Sequence, residues 1–175
     1  DSTTVSAISI NDNNPLFMVG NGSSDAARNN ALTVYKSGVI LAKNDLTVAS
    51  SPATFALPLP YSGTRMMWIP EKSAFRVGTE PLATGWVPGN IGTWSFAAGY
   101  NTFASGEHAV AIGKDLFVQG NNAMAFGTNH NAVGAESMAL GYNNGAYGQQ
   151  SMAAGGYSVA SGDYAVAIGS IASAR

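Results

Sequence analysis

The 175-residue chain contains no cysteine, and only 10% of its residues are charged. Without thiols there is no disulfide framework and no thiolate chemistry, so a secreted or surface protein of this composition depends on packing and assembly for stability. Eight Lys and Arg against ten Asp and Glu leave a formal net charge of −2, and the basic stripe that nucleic-acid binding needs is missing. No apolar run reaches the ~18 to 20 residues of a helical membrane span, and the first residues do not follow a signal-peptide pattern. Proline is almost confined to one stretch. Six of the seven prolines (Pro52, Pro58, Pro60, Pro70, Pro81 and Pro88) lie between 52 and 91, with Trp68 and Trp86. Proline has no amide donor for a central strand, so that stretch predicts edge strands, turns and wrapped loops.

What the chain has is glycine at a fixed interval. From Gly92 it recurs every seven residues to Gly169 (Gly92, Gly99, Gly106, Gly113, Gly120, Gly127, Gly134, Gly141, Gly148, Gly155, Gly162, Gly169), and five residues after each stands alanine, with Val118 the one exception. The unit is two heptads, because every second heptad reads small, apolar, Ala, apolar, Gly: SFAAG at 95–99, AVAIG at 109–113, AMAFG at 123–127, SMALG at 137–141, SMAAG at 151–155 and AVAIG at 165–169. A fixed period of fourteen predicts a solenoid. Each heptad is a five-residue alternating run after a polar pair such as Glu107-His108 or Asn121-Asn122, that is, a short strand and a turn. Helix is disfavoured, since a glycine costs roughly 1 kcal/mol at each occurrence and the apolar spacing is two. The repeat glycines Gly99, Gly113, Gly127, Gly141, Gly155 and Gly169 are assigned a structural role, either a positive φ or a close approach to the next coil. Two strands per coil make a flattened roll of six coils, roughly 30 Å long at about 4.8 Å per coil.

Alternation sorts the faces. Phe96, Val110, Ile112, Met124, Phe126, Met138, Leu140, Met152, Val166 and Ile168 share one side of the first strand, while Ser95, Ala97, Ala109, Ala111, Ala123, Ala125, Ser137 and Ala139 share the other. A roll lined with Ala and Ser is too thin to offset the conformational entropy of its own chain, about 1 to 2 kcal/mol per residue. Burying the larger side chains against another copy supplies the missing area at roughly 25 cal/mol per Å². The ten large residues are therefore the expected oligomer interface.

The AVAIG strings at 109–113 and 165–169, on a fourteen-residue repeat with ASG at 104–106 and 160–162, resemble the head repeats of YadA-like trimeric autotransporter adhesins. The resemblance implies an all-β, left-handed parallel β-roll for residues 92–175, three copies packed about a threefold axis, and a surface-exposed head that binds a ligand. It covers about half the chain, and similar repeats occur in other bacterial and phage fibres. Departures from the pattern fall on the second strand: Leu116-Phe117-Val118-Gln119, Asn131 and Gly145. Residues 1–51 read as a separate β-rich segment, with Val5 to Ile10, Leu16 to Val19 and Leu46 to Val48 as strands and Leu32 to Tyr35 paired with Val39 to Leu41 in a hairpin. Residues 52–91 read as a junction or cap that closes the first coil. The strings GTRMMWIPEKSAFRVG at 63–78, NPLFMVGNG and NALTVYKSG resemble fibre-like bacterial surface proteins. Arg175 falls in phase with the repeat, which reads as a piece of a longer fibre.

Candidate sites are few. The repeat's acids Glu107, Asp115, Glu136 and Asp163 are spaced as solvated turn residues rather than as a glycosidase pair, whose carboxyls lie about 5 to 10 Å apart. His108 and His130 occupy different repeat positions without clustered ligands and read as turn histidines, so no metal is expected. The turns lack the aspartate run of calcium solenoids, and no cofactor is expected. Tyr100, Tyr142, Tyr157 and Tyr164 stand one or two places after a repeat glycine, where a rigid aromatic faces solvent and suits a sugar ring or a protein hot spot, or else stacks along the coils. The expected function is non-catalytic adhesion to a host, prey or matrix ligand, glycan or protein, by a homotrimer at a bacterial surface. A phage-type fibre spacer and a glycan-acting enzyme are the alternatives.

Overall fold

The computed structural model describes residues 15–20, 30–35, 40–42 and 62–175, and the chain divides into two compact units, 1–51 and 52–175. In the first unit, strands β1 (Pro15–Gly20), β2 (Asn30–Tyr35) and β3 (Ile40–Ala42) form an antiparallel sheet in the order β1-β2-β3. The expected Leu32–Leu41 hairpin is present, with Val34 opposite Ile40 and Leu32 opposite Ala42. The strands expected at 5–10 and 46–48 lie outside the described residues.

The second unit opens with an antiparallel hairpin, β4 (Gly63–Ile69) and β5 (Ala74–Glu80), closed by a 3-10 turn at Pro70–Lys72. A second 3-10 turn, Pro88–Asn90, leads into the repeat. There the strands are β6 (Phe96–Ala104), β7 (Val110–Val118), β8 (Met124–Ala132), β9 (Met138–Tyr142), β10 (Gly145–Ala146), β11 (Met152–Gly156), β12 (Val159–Ala160), β13 (Val166–Ser170) and β14 (Ser173–Ala174). Every pairing within the repeat is parallel and offset by fourteen residues, so Ala97 lies beside Ala111, Ala111 beside Ala125 and Gly99 beside Gly113. One ladder runs β4-β5-β6-β7-β8-β9-β11-β13, and the second strands of the coils continue from β8 through β10 and β12 to β14. This is a β-solenoid of about six turns with two strands per turn.

The glycines fall into two columns with different reasons for being glycine. Gly99, Gly113, Gly127, Gly141, Gly155 and Gly169 have φ between 106° and 140°. Gly92, Gly106, Gly120, Gly134 and Gly148 do not have positive φ, yet a Cβ on any of them would sit 1.9 to 2.1 Å from the carbonyl oxygen of the corresponding glycine one coil on. The residue two places after each glycine, from Trp94 to Ile171, turns the corner in the left-handed region with φ of 53° to 62°. Asn or Asp fills five of these twelve corners (Asn101, Asp115, Asn122, Asn129, Asn143), the residues that tolerate the conformation best.

The interior is built from two positions per strand. Ala97, Ala104, Ala111, Val118, Ala125, Ala132, Ala139, Ala146, Ala153 and Ala160 are all fully buried in one continuous core. The third residue after each glycine also points inward: Ser95, Ala109, Ala123, Ser137 and Ser151 in the first strands, and Thr102, Leu116, His130, Asn144 and Ser158 in the second. Leu116 and Val118 are therefore the two bulkier core residues of one coil, so the local departure at 116–119 places two residues inside, while Phe117 and Gln119 face outward.

The hairpin continues the roll by half a coil. Arg76 pairs with Ala97 and so occupies the interior column, and Gly78 pairs with Gly99 and shares its positive φ. The first coil has no complete strand before its second strand, so the Thr102 carbonyl faces an open edge; the Trp86 indole donates to it at 2.9 Å. Arg76, fully buried, donates to the carbonyls of Phe75, Ser95 and Ala104 and to Ser95 Oγ. Burial lowers its pKa to about 10, and the guanidinium remains the charged donor at neutral pH.

Gly113→Ala is expected to destabilise the roll by on the order of 4 kcal/mol or more, because it combines a forbidden φ with a Cβ 1.9 Å from the Gly127 carbonyl oxygen. Gly89→Ala, with nothing within 4 Å of its Cβ, is expected to change stability by less than about 0.5 kcal/mol. Denaturant unfolding of the two variants measures the contrast.

Candidate interaction surface

The first strands present one side to the alanine core and the other outward. Phe96, Val110, Met124, Met138, Leu140 and Met152 are half-buried on that outward side, while Ile112, Phe126, Val166 and Ile168 are exposed. In-register stacking arranges them in two rows: Phe96, Val110, Met124, Met138, Met152 and Val166 form one, and Ile112, Phe126, Leu140 and Ile168 follow Ala98 in the other. Ile112 and Phe126, in inner coils flanked on both sides, are 38% and 37% exposed. The alternation read in the sequence thus places all ten residues on a single apolar sheet face.

The four tyrosines are exposed at or next to corners, and only two of them meet. Tyr142 and Tyr157 meet edge to face, with ring centroids 5.3 Å apart, and their contact raises the Tyr157 phenol pKa above its ordinary value. Tyr100 stands three coils before Tyr142 in the same column, with the Lys114 ammonium 5.9 Å from its ring. Tyr164 turns the other corner, where its column continues through Gln150 and Glu136. Two other ring contacts join equivalent positions of successive coils, fourteen residues apart: Trp94 stacks on His108 at 4.8 Å, and Phe103 on Phe117 at 4.2 Å.

The acids serve the corners. Asp115 accepts from Asn101 Nδ2 at 2.8 Å, Glu136 from Gln150 Nε2 at 2.7 Å, and Asp163 from the Gln149 amide at 2.8 Å, each across one coil. Glu107 contributes its amide to Asn121 Oδ1 at 3.0 Å. Among the described residues, no group of three or more His, Asp and Glu is placed to hold a metal ion.

His130 is not a turn residue. It lies in β8 with 1% exposure, inside the roll. Its Nδ1 accepts from the Asn144 amide at 3.0 Å, which places the proton on Nε2, 2.9 Å from the Gly141 carbonyl and 3.1 Å from that of Phe126. Asn144 repeats the arrangement one coil on: Oδ1 accepts from the Ser158 amide, and Nδ2 donates to Leu140 and Gly155. Ser158 repeats it again, accepting from the Ala172 amide and donating to the Gly169 carbonyl. Three chemically different side chains therefore perform one task, bridging the second strand of the next coil to its glycine corner. Their common phase, three residues after a glycine, was the available signal. Their polarity disguised it, because interior columns are expected to be apolar.

With the roll, its outward apolar face and its polar corners in place, the second unit belongs to the class of parallel β-solenoids. Residues 91–115, 119–144 and 146–170 match the family model of the YadA head domain repeat (2 copies), so residues 91–170 are a YadA-like head segment. That family comprises surface-exposed heads of trimeric autotransporter adhesins and is a family of adhesin domains rather than enzymes. Searches of curated proteins and of solved structures gave no match.

Burial lowers the His130 pKa below its usual 6.5, so the folded state keeps the ring neutral while the unfolded chain takes up a proton as pH falls through 6.5. The stability the neutral ring contributes is full above that value and is lost below it, down to the folded-state pKa, with a slope of at most about 1.4 kcal/mol per pH unit. His130→Asn, which copies Asn144, is expected to fold and to show a smaller fall in melting temperature between pH 7.5 and 5.5 than the parent chain. Equal falls in both would show that the ladder does not depend on the neutral ring.

Proposed function

We propose that the chain is part of a non-catalytic homotrimeric adhesin of a bacterial surface, its roll packed against two further copies through the outward side of the first strands. The observation that carries this reading is the unbroken apolar face itself. Within the inner coils of that face Ile112 and Phe126 stay exposed and their row neighbours only half-buried, an area that a single chain would leave against water at roughly 25 cal/mol per Å². The YadA head match supports the same arrangement, since that family assembles as trimers. With the first-strand face occupied, the second strands and both corners are left for an external ligand, glycan or protein. The Tyr142–Tyr157 pair is the proposed contact, because two rings set at 73° offer a rigid apolar corner with two hydroxyls. Three copies turn one weak contact into three that act together.

Size-exclusion chromatography with light scattering is expected to give a mass three times the 17.9 kDa of the chain, stable on dilution into the nanomolar range. Ile112→Glu, at the centre of the face, is expected to reduce that mass towards the single chain. A parent chain that is monomeric at micromolar concentration would overturn the trimeric reading. Given a trimer, glycan and matrix-protein arrays probed with the parent and with Tyr142→Ala/Tyr157→Ala test the contact, which fails if the bound signals are the same.

A further inference from the structure

The β4–β5 hairpin lies outside the matched repeats, which begin at residue 91, yet its outward residues prolong both rows of the apolar face. Trp68 lies beside Phe75, and Phe75 beside Phe96; Met66 lies beside Val77, and Val77 beside Ala98. The first row is joined by ring contact, with Phe75 and Phe96 stacked at 5.6 Å and 15°. The opposite side of β4 is already used, as Met67 packs against the buried cluster of Ile69, Ala74 and Ile91. Met66 and Trp68 are left 71% and 44% exposed.

Charge is arranged to the same effect. Among the described residues β4 is the last strand of its ladder, a position that proteins ordinarily guard with charged side chains. Here the outward positions carry Thr64, Met66 and Trp68, and Thr64 shares a 2.7 Å hydroxyl contact with Thr79. Arg65 and Arg76 alternate to the other side, where Arg65 bonds to the Ser62 carbonyl and Arg76 fills the roll. A guarded edge would have the reverse pattern, whereas Met and Trp on an uncharged face are what the core of a protein interface uses.

We infer that the hairpin is itself a self-association element, with Met66 and Trp68 packed against the equivalent hairpins of the other copies in the assembled protein. This rests on the homotrimer reading above and extends it beyond the repeat. In a parallel threefold assembly each level of the roll faces its own level in the neighbouring copies. Rows that run without a break from the repeat onto the hairpin therefore bring hairpin to hairpin.

The absence of native cysteine makes an introduced thiol a unique reporter. Met66→Cys is compared with Leu82→Cys, whose position is 67% exposed and lies outside the rows. In the full chain, once light scattering has established a trimer, the thiol from Met66→Cys is expected to react with a soluble disulfide reagent at least tenfold more slowly than that from Leu82→Cys, and equally fast in denaturant. Met66→Glu is expected to raise the concentration at which the trimer dissociates by at least tenfold, with circular dichroism unchanged; Leu82→Glu is not expected to move it. A confirmed trimer in which both thiols react alike and Met66→Glu dissociates like the parent would overturn the hairpin inference alone. A monomeric parent chain would overturn the homotrimer reading and this inference with it.

Discussion

The structure depends on how closely one coil's backbone approaches the next at the two glycine columns. In both columns the space where a Cβ would stand is filled by the carbonyl of the following glycine, so each coil rests on its neighbour through bare backbone. This contact sets the fourteen-residue offset, because slipping the stack by one residue would bring a side chain onto that carbonyl. The alanine columns follow from the same constraint. A coil that turns its corner within one heptad leaves room between its strands mostly for small side chains, with Leu116, Val118, His130 and Asn144 the larger ones admitted.

A core of methyl groups excludes water poorly and gives little cohesion per residue, so the roll adds directional contacts. His130, Asn144 and Ser158 bind the second strand of each following coil from inside, and corner side chains bond to one another across coils outside. Buried polar groups stabilise only when they are fully paired. Each of these sits where the fourteen-residue offset brings an amide and a carbonyl within reach. The first coil has no preceding second strand to supply such donors, and Trp86 and Arg76 supply them instead.

The same geometry separates stability from recognition. Interior positions are restricted in size, and the outward positions of the first strand are apolar along the ladder. Corner positions need only tolerate a left-handed backbone, which Asn does readily and Tyr157 or Ile171 does at some cost. Corners and second-strand surfaces can therefore vary in sequence while the stacking remains constant. The aromatic contacts at Tyr142–Tyr157 and Trp94–His108 lie at such positions.

Sequence alone determined the period, the strand alternation and the division of the first strand into an alanine side and an apolar side, because one residue type repeated in phase admits few backbones. It also determined that Tyr100, Tyr142, Tyr157 and Tyr164 stand at or next to corners. Only the tertiary structure decided which of them meet, since Tyr142 and Tyr157 lie fifteen residues apart and are brought together by stacking one coil on the next. The place of His130 was likewise decided in three dimensions: an imidazole is polar and reads as surface until the amide of Asn144 and the carbonyl of Gly141 are found within hydrogen-bonding distance of it. Arg76, in a stretch without the repeat, could be recognised as an interior residue only once β5 was seen paired with β6. Local pattern fixes what depends on spacing along one strand, whereas partners supplied by the neighbouring coil exist only after the coils have stacked.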